Sequence, residues 1–130
     1  MRLKPGYAEA QNNLGNVLVG SGRTAEAIDH LQAAVQVEPD FADAHYNLAV
    51  VLLSADRTED GIAQLQQVVR LTPDDAGARA MLGGTLLRLG RVSEAIPHLQ
   101  EALLLKPGLT GAREDLATAL RQLAAPSGRH

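Results

Sequence analysis

The sequence predicts an all-α fold, a right-handed α-solenoid of three helix–turn–helix repeats closed by a C-terminal helix, and three observations predict it. Prolines recur at Pro5, Pro39, Pro73 and Pro107, 34 residues apart each time, a period that belongs to stacked helix pairs. Residue classes recur with the spacing. Ala42-Asp43-Ala44-His45-Tyr46-Asn47-Leu48-Ala49 parallels Ala8-Glu9-Ala10-Gln11-Asn12-Asn13-Leu14-Gly15, His30-Leu31-Gln32 returns as His98-Leu99-Gln100, and Ala25-Glu26-Ala27-Ile28 returns as Ser93-Glu94-Ala95-Ile96. Hydrophobic residues are 45% of the 130, yet aromatics are only 2%, with Tyr7, Phe41 and Tyr46 the whole set. A core of Leu, Val, Ile and Ala suits close helix packing better than a sandwich of aromatic-rich strands.

Each repeat reads as two helices. The first spans about residues 8–19, with Leu14, Val17 and Leu18 apolar at helical spacing, and Gly20-Ser21-Gly22 ends it as glycine does at helix termini. Thr24 is the expected N-cap of the second helix, with Glu26 near its positive end. That helix is expected to bury Ala27, Ile28, Leu31, Ala34 and Val35. Pro39 ends it, because proline cannot continue the backbone ladder and restricts the residue before it. The next two repeats follow the same plan. Pro97 departs from it: with Ser93 as N-cap it sits about one turn inside its helix, where it removes one early donor. A last helix at about 110–124 carries Leu116, Ala117, Leu120 and Leu123 on one side and Arg113, Glu114, Thr118, Arg121 and Gln122 on the other, as a solvating cap requires. Pro126-Ser127-Gly128 stops it.

The expected organisation is a remnant of a preceding repeat at 1–7, repeats at 8–41, 42–75 and 76–109, a capping helix at 110–124 and a tail at 125–130. Leu3-Lys4-Pro5-Gly6 returns as Leu105-Lys106-Pro107-Gly108, where it closes a repeat; the first helix is therefore expected to lack the neighbour that would cover it. The expected core is Leu14, Leu18, Ile28, Leu31, Leu48, Leu52, Ile62, Leu65, Leu82, Leu86, Ile96 and Leu99.

Composition narrows function. The net charge is -3, against the basic footprint that nucleic-acid binding needs. There is no cysteine, which removes disulfides, thiolate metal sites and thiol catalysis. No run approaches the roughly 20 apolar residues of a membrane span, and no signal-peptide pattern follows Met1. A soluble, cytoplasmic protein without metal or cofactor is expected.

Against this frame the residues resemble the tetratricopeptide pattern W-x2-L-G-x2-Y, A-x3-F, P. The Leu-Gly pair stands as Leu14-Gly15, Leu48-Ala49 and Leu82-Gly83, with Leu116-Ala117 in the cap. The Tyr slot holds Leu18, Leu52 and Leu86; the Ala-x3-Phe pair is Ala27/Leu31, Gly61/Leu65 and Ala95/Leu99; the Trp slot holds Gln11, His45 and Arg79. The match covers nearly all of residues 8–124 and resembles the Asn-Leu-Gly-rich repeats of bacterial arrays and of O-linked N-acetylglucosamine transferase superhelices. The resemblance implies a concave groove lined by the first helix of each repeat, in which Asn13 and Asn47 bond the backbone of a bound peptide. The ladder then breaks, with Met81 and Asp115 in the equivalent slots.

Helical spacing extends that surface to Glu9, Asn12, Asn13, Asn16 and Val19 in the first repeat and Asp43, Tyr46, Asn47, Val50 and Leu53 in the second. Gly84, Leu87 and Arg88 follow in the third, and Thr118 and Arg121 in the cap. Three asparagines within five residues of a helix call for a reason beyond solubility, and exposed amides suit peptide-backbone bonding. Charge is uneven along the chain, with a net of -4 over 8–41, -4 over 42–75 and +2 over 76–109. The expected function is a protein–protein interaction scaffold that binds a peptide or protein segment, with no active site. Two alternatives stand beside it: a self-assembling module that pairs through its uncovered first repeat, and a regulatory fragment of a larger protein such as a glycosyltransferase. His30, His45, His98 and His130 read as packed or solvated histidines, since His30 and His98 lie two repeats apart. The acidic pairs Glu59-Asp60 and Asp74-Asp75 read as helix-start acids, and Gly20-Ser21-Gly22 and Gly83-Gly84 as turn and packing glycines.

Overall fold

The computed structural model describes residues 6–125, and among them there are seven helices and no strand. They run α1 (Tyr7–Gly20), α2 (Thr24–Val37), α3 (Ala42–Ser54), α4 (Thr58–Leu71), α5 (Ala76–Arg88), α6 (Val92–Leu105) and α7 (Thr110–Ala124). The expected repeat remnant at 1–7, apart from its last two residues, lies outside the described residues. So do the Pro126-Ser127-Gly128 stop, His130 and the rest of the tail after Ala125.

The chain divides into two compact units at Thr72 and Pro73. In the first, α1 packs on α2, α2 on α3, α3 on α4, and α1 also touches α3. In the second, α5 packs on α6, α6 on α7 and α5 on α7.

Two kinds of connection build both units. Between the helices of a pair, one residue takes a left-handed conformation: Gly22 (φ 77°), Asp56 (φ 62°) and Gly90 (φ 79°). The next residue's N–H then reaches back to a carbonyl five positions earlier, in Arg23→Leu18 (2.9 Å), Arg57→Leu52 (2.8 Å) and Arg91→Leu86 (2.9 Å). This is the αL helix stop, which satisfies orphan carbonyls. It also corrects the expected caps. The tight turn brings Arg23 and Arg91 to the cap positions, Thr24 and Ser93 fall inside α2 and α6, and neither helix has a side-chain cap. Each turn arginine instead holds an acid one turn on: Arg23 with Glu26, Arg57 with Asp60 at 3.0 Å and Arg91 with Glu94 at 2.8 Å. Such exposed pairs contribute little to stability. Between pairs, the helix stops before Pro39, Pro73 or Pro107. Asp75 then caps α5, its carboxylate accepting the Ala78 N–H at 3.0 Å, as expected of an acid at a helix start.

Leu31, Leu48, Leu52, Leu65 and Val68 are the large, fully buried side chains of the first unit, and Leu82, Leu86 and Leu99 those of the second. Where two helices of a pair cross, a glycine lies under a leucine. A Cβ on Gly15 would come within 2.6 Å of Leu31, one on Gly83 within 2.6 Å of Leu99, and one on Gly61 within 2.7 Å of Leu53. The small slots of the repeat pattern are thus the crossing points.

Two members of the expected core are elsewhere. Leu14 is 41% exposed, because no described helix covers that side of α1, whereas α2 covers the matching side of α3. Ile96 is half-buried. On α7, Ala117, Leu120 and Leu123 are exposed. Its cap face is therefore only partly polar, since no described helix crosses it as α2 crosses α1. No helix among the described residues is long and apolar enough to cross a membrane.

Candidate functional site

The expected groove residues fall into two groups. In the first unit α1 and α3 run side by side, and Glu9, Asn13, Asn16, Val19 and Asp43 are exposed, with Tyr46, Asn47, Val50 and Leu53 half-buried beside them. Asn12 is buried instead. Its Oδ1 accepts a hydrogen bond from Asn47 Nδ2 at 3.0 Å, because its helical position turns it into the α1–α3 contact. This bond ties the two helices while leaving Asn47 a carbonyl oxygen and a second N–H, and it leaves the Asn13 amide wholly open. Leu53 is drawn toward the α3–α4 crossing over Gly61.

In the second unit α5 and α7 form the corresponding row. Arg88 and Arg121 are exposed and Thr118 is half-buried. Arg121 donates to the Thr118 hydroxyl at 3.2 Å, and Arg88 reaches Thr85 at 3.4 Å. Gly84 and Leu87 are buried, a correction to their expected exposure: Gly84 lies beneath the Asp115 side chain, and Leu87 turns into the core. Sequence spacing missed the residues that shape this row. A cleft of about 360 Å³ opens between α5 and α7, lined by Ala80, Met81, Gly84, Arg88, Leu109 and Asp115, among others. Asp115 occupies the register of Asn13 and Asn47, which is the signal that pointed to it. A second depression, about 450 Å³, lies in the first unit between Ile28, Asp29, Gln32 and Arg57.

His30, His45 and His98 face across the helix pairs rather than toward one another. His30 Nδ1 hydrogen-bonds Gln11 Oε1 at 2.6 Å, and His45 Nδ1 hydrogen-bonds Gln64 Oε1 at 2.6 Å. The first position of each pair is the slot where the repeat pattern has Trp. Its occupants also fasten the preceding turn: His45 Nε2 bonds the Pro39 carbonyl (2.7 Å), Arg79 the Pro73 carbonyl (2.9 Å) and Arg113 the Pro107 carbonyl (2.9 Å). In the third pair His98 faces Arg79, two groups that both favour donating, and His98 Nδ1 is buried without a partner. Burial first, then the Arg79 charge, holds the His98 imidazole below its ordinary value. Among the described residues no three His, Asp or Glu side chains gather as metal ligands would.

Models of the tetratricopeptide repeat match residues 18–84 and 76–108. No curated protein sequence matches the chain. Among solved structures, the chain is similar to the first TPR of Spaghetti (RPAP3) bound to HSP90 peptide SRMEEVD, with a TM-score of 0.86 at 20% identity over 96% of this chain and 99% of that one. It is similar to MamA, with a TM-score of 0.84 at 25% identity over 92% of this chain and 70% of that one. It is also similar to the second TPR domain of human RPAP3 in complex with HSP70 peptide SGPTIEEVD, with a TM-score of 0.79 at 24% identity over 88% of this chain and 95% of that one.

Proposed function

This chain belongs to the tetratricopeptide repeat family and has its all-α helical-repeat solenoid fold, and from that premise we propose that it is a non-enzymatic interaction scaffold that holds a segment of another polypeptide. The observation that carries this reading is the α1–α3 face. The Asn12–Asn47 bond orients one amide, and Asn13 beside it presents a donor and an acceptor with no competing partner among the described residues. Tyr46 and Val50 add a half-buried apolar strip of the kind that supplies binding energy beneath polar contacts. Two solved structures of the same fold hold peptides, which makes peptide binding the first activity to test. Peptide-array screening followed by titration calorimetry tests it. Each amide bond contributes about 0.5–1.5 kcal/mol net, so Asn13→Ala combined with Asn47→Ala should weaken binding about tenfold or more. Parent-like affinity in that double variant would remove this face from the site.

A specific observation favours self-association as a second reading. Val17 is 64% exposed, while Val51, one period on, is 4% exposed. Light scattering at rising concentration should then show a growing mass that Val17→Asp abolishes; a constant monomeric mass would exclude it.

A further inference from the structure

The depression between α2 and the α3–α4 turn shares no residue with the α1–α3 face. Its floor is apolar: Ile28 is buried there, and Ala55 packs half-buried against the same core cluster. The space, about 450 Å³, exists because residue 55 is small. One and two periods on, the equivalent positions hold Leu89 and Leu123, and a leucine at 55 would fill it. Above the floor Asp29 is exposed, and its carboxylate has no hydrogen-bond or ion-pair partner among the described residues. Thr24 and Gln32 line the same space and add a hydroxyl and an amide oxygen as further acceptors. Arg57, from the turn, is already engaged: its Nε and Nη2 both donate to Asp60 Oδ2, at 3.2 and 3.0 Å.

The chemistry of an occupant follows from these groups. An anion would meet the open carboxylate of Asp29 and find the Arg57 charge spent on Asp60. A purely apolar group would cover Asp29 and leave it without a partner, which is costly. A long cationic side chain suits both parts, because its stem lies on apolar surface while its head stays with polar groups. Lysine presents three donors on one nitrogen, and Asp29, Gln32 and Thr24 offer three acceptors. The surrounding charge has the matching sign: residues 8–41 and 42–75 each carry a net of -4, a field that draws in a basic partner. An exposed ion pair alone contributes little, so the apolar floor that Ala55 leaves open is what makes this a site.

We infer that the depression between α2 and the α3–α4 turn is a second docking surface, which takes a lysine side chain from a basic polypeptide: the stem lies over Ile28 and Ala55, and the ammonium donates to Asp29 and Gln32. This goes beyond the reading of the α1–α3 face, since it uses other helices and another chemistry. It gives the acidic character of the first unit a use that the neutral amides of Asn13 and Asn47 do not.

The test is an NMR titration of the whole chain with the synthetic peptide octalysine, and with octaglutamate as its opposite. Octalysine should shift the methyl signals of Ile28 and Ala55 to saturation, with an affinity that falls as salt rises. Asp29→Asn, which keeps the side chain's size, should weaken it about tenfold, since a hydrogen bond to a charged group is lost. Ala55→Leu, which fills the floor, should weaken it by as much while holding the melting temperature at or above that of the parent. Glu38→Gln removes the same charge from just past the end of α2 and should change the affinity by no more than about twofold, as a screened charge does. Equal losses in Asp29→Asn and Glu38→Gln would mean that octalysine reads only net charge, and the site would be overturned. Octaglutamate moving the same two methyl signals, or no saturable shift with octalysine, would overturn it too. The double variant Asn13→Ala, Asn47→Ala should bind octalysine as the parent does, so a failure of either surface leaves the other standing.

Discussion

Gln11–His30 and His45–Gln64 are the same contact with its partners exchanged, one amide against one imidazole across a helix pair. Arg79 breaks the series by facing His98 with a cation. The folded state therefore holds His98 with fewer protons than the unfolded chain does once the pH drops below the ordinary value of 6.5. Stability is unaffected well above that pH and is lost as the pH falls toward the lower folded value. Melting curves between about pH 7.5 and 5.5 should thus decline less steeply for His98→Gln than for the parent, and superimposable profiles would deny His98 this part. Arg79→Gln should rebuild the bond that Gln11 makes, adding about 0.5–1.5 kcal/mol at neutral pH. It gives up only a bond to the carbonyl of the exposed Pro73.

At the level of paired helices, each crossing combines one glycine with one alanine: Gly15 with Ala27, Ala49 with Gly61, Gly83 with Ala95. The glycine changes helix from pair to pair, and the leucine above it changes with it, from Leu31 to Leu53 to Leu99. The requirement is one missing methyl per crossing, on either helix. Gly83→Ala would place a Cβ 2.6 Å from Leu99 and 3.3 Å from the Ala95 carbonyl oxygen, an overpacking that should cost about 1–3 kcal/mol. Ala95→Gly alone should cost about 1 kcal/mol as a helix glycine. Together they imitate α3–α4, with Leu87 in the place of Leu53, so the double variant should be more stable than the sum of the two losses. Urea unfolding of the three variants decides this; strict additivity would mean that the crossings are not interchangeable.

Across the whole molecule, equal sequence does not mean equal burial. Leu14 and Leu48 hold the same slot, yet one is 41% and the other 1% exposed. Leu48→Ala should cost about 2–5 kcal/mol as a core truncation, and Leu14→Ala well under half of that. Equal losses in thermal unfolding at low concentration would mean that Leu14 is covered in solution. A Leu14 loss that grows with protein concentration would point to a second copy as the cover.

The period of 34, read from proline spacing and from the Leu-Gly and Ala-x3-Leu slots, determined the helices, their order and most of the core. Periodicity records which side of a helix must be apolar, and that is a local property. Whether a neighbour covers that side is not, so Leu14, read as core in the sequence, and Leu120 and Leu123, read as the apolar side of the last helix, all stand open in the structure. The candidate site divides in the same way. Asn13 and Asn47 were legible from their register before the Leu-Gly pair. The turning of Asn12 into the α1–α3 contact, the burial of Gly84 and Leu87, and the approach of Asp115 to Gly84 depend on how two helices pack. Side-chain direction at a shared interface follows from the packing of both partners, which only the tertiary structure decides.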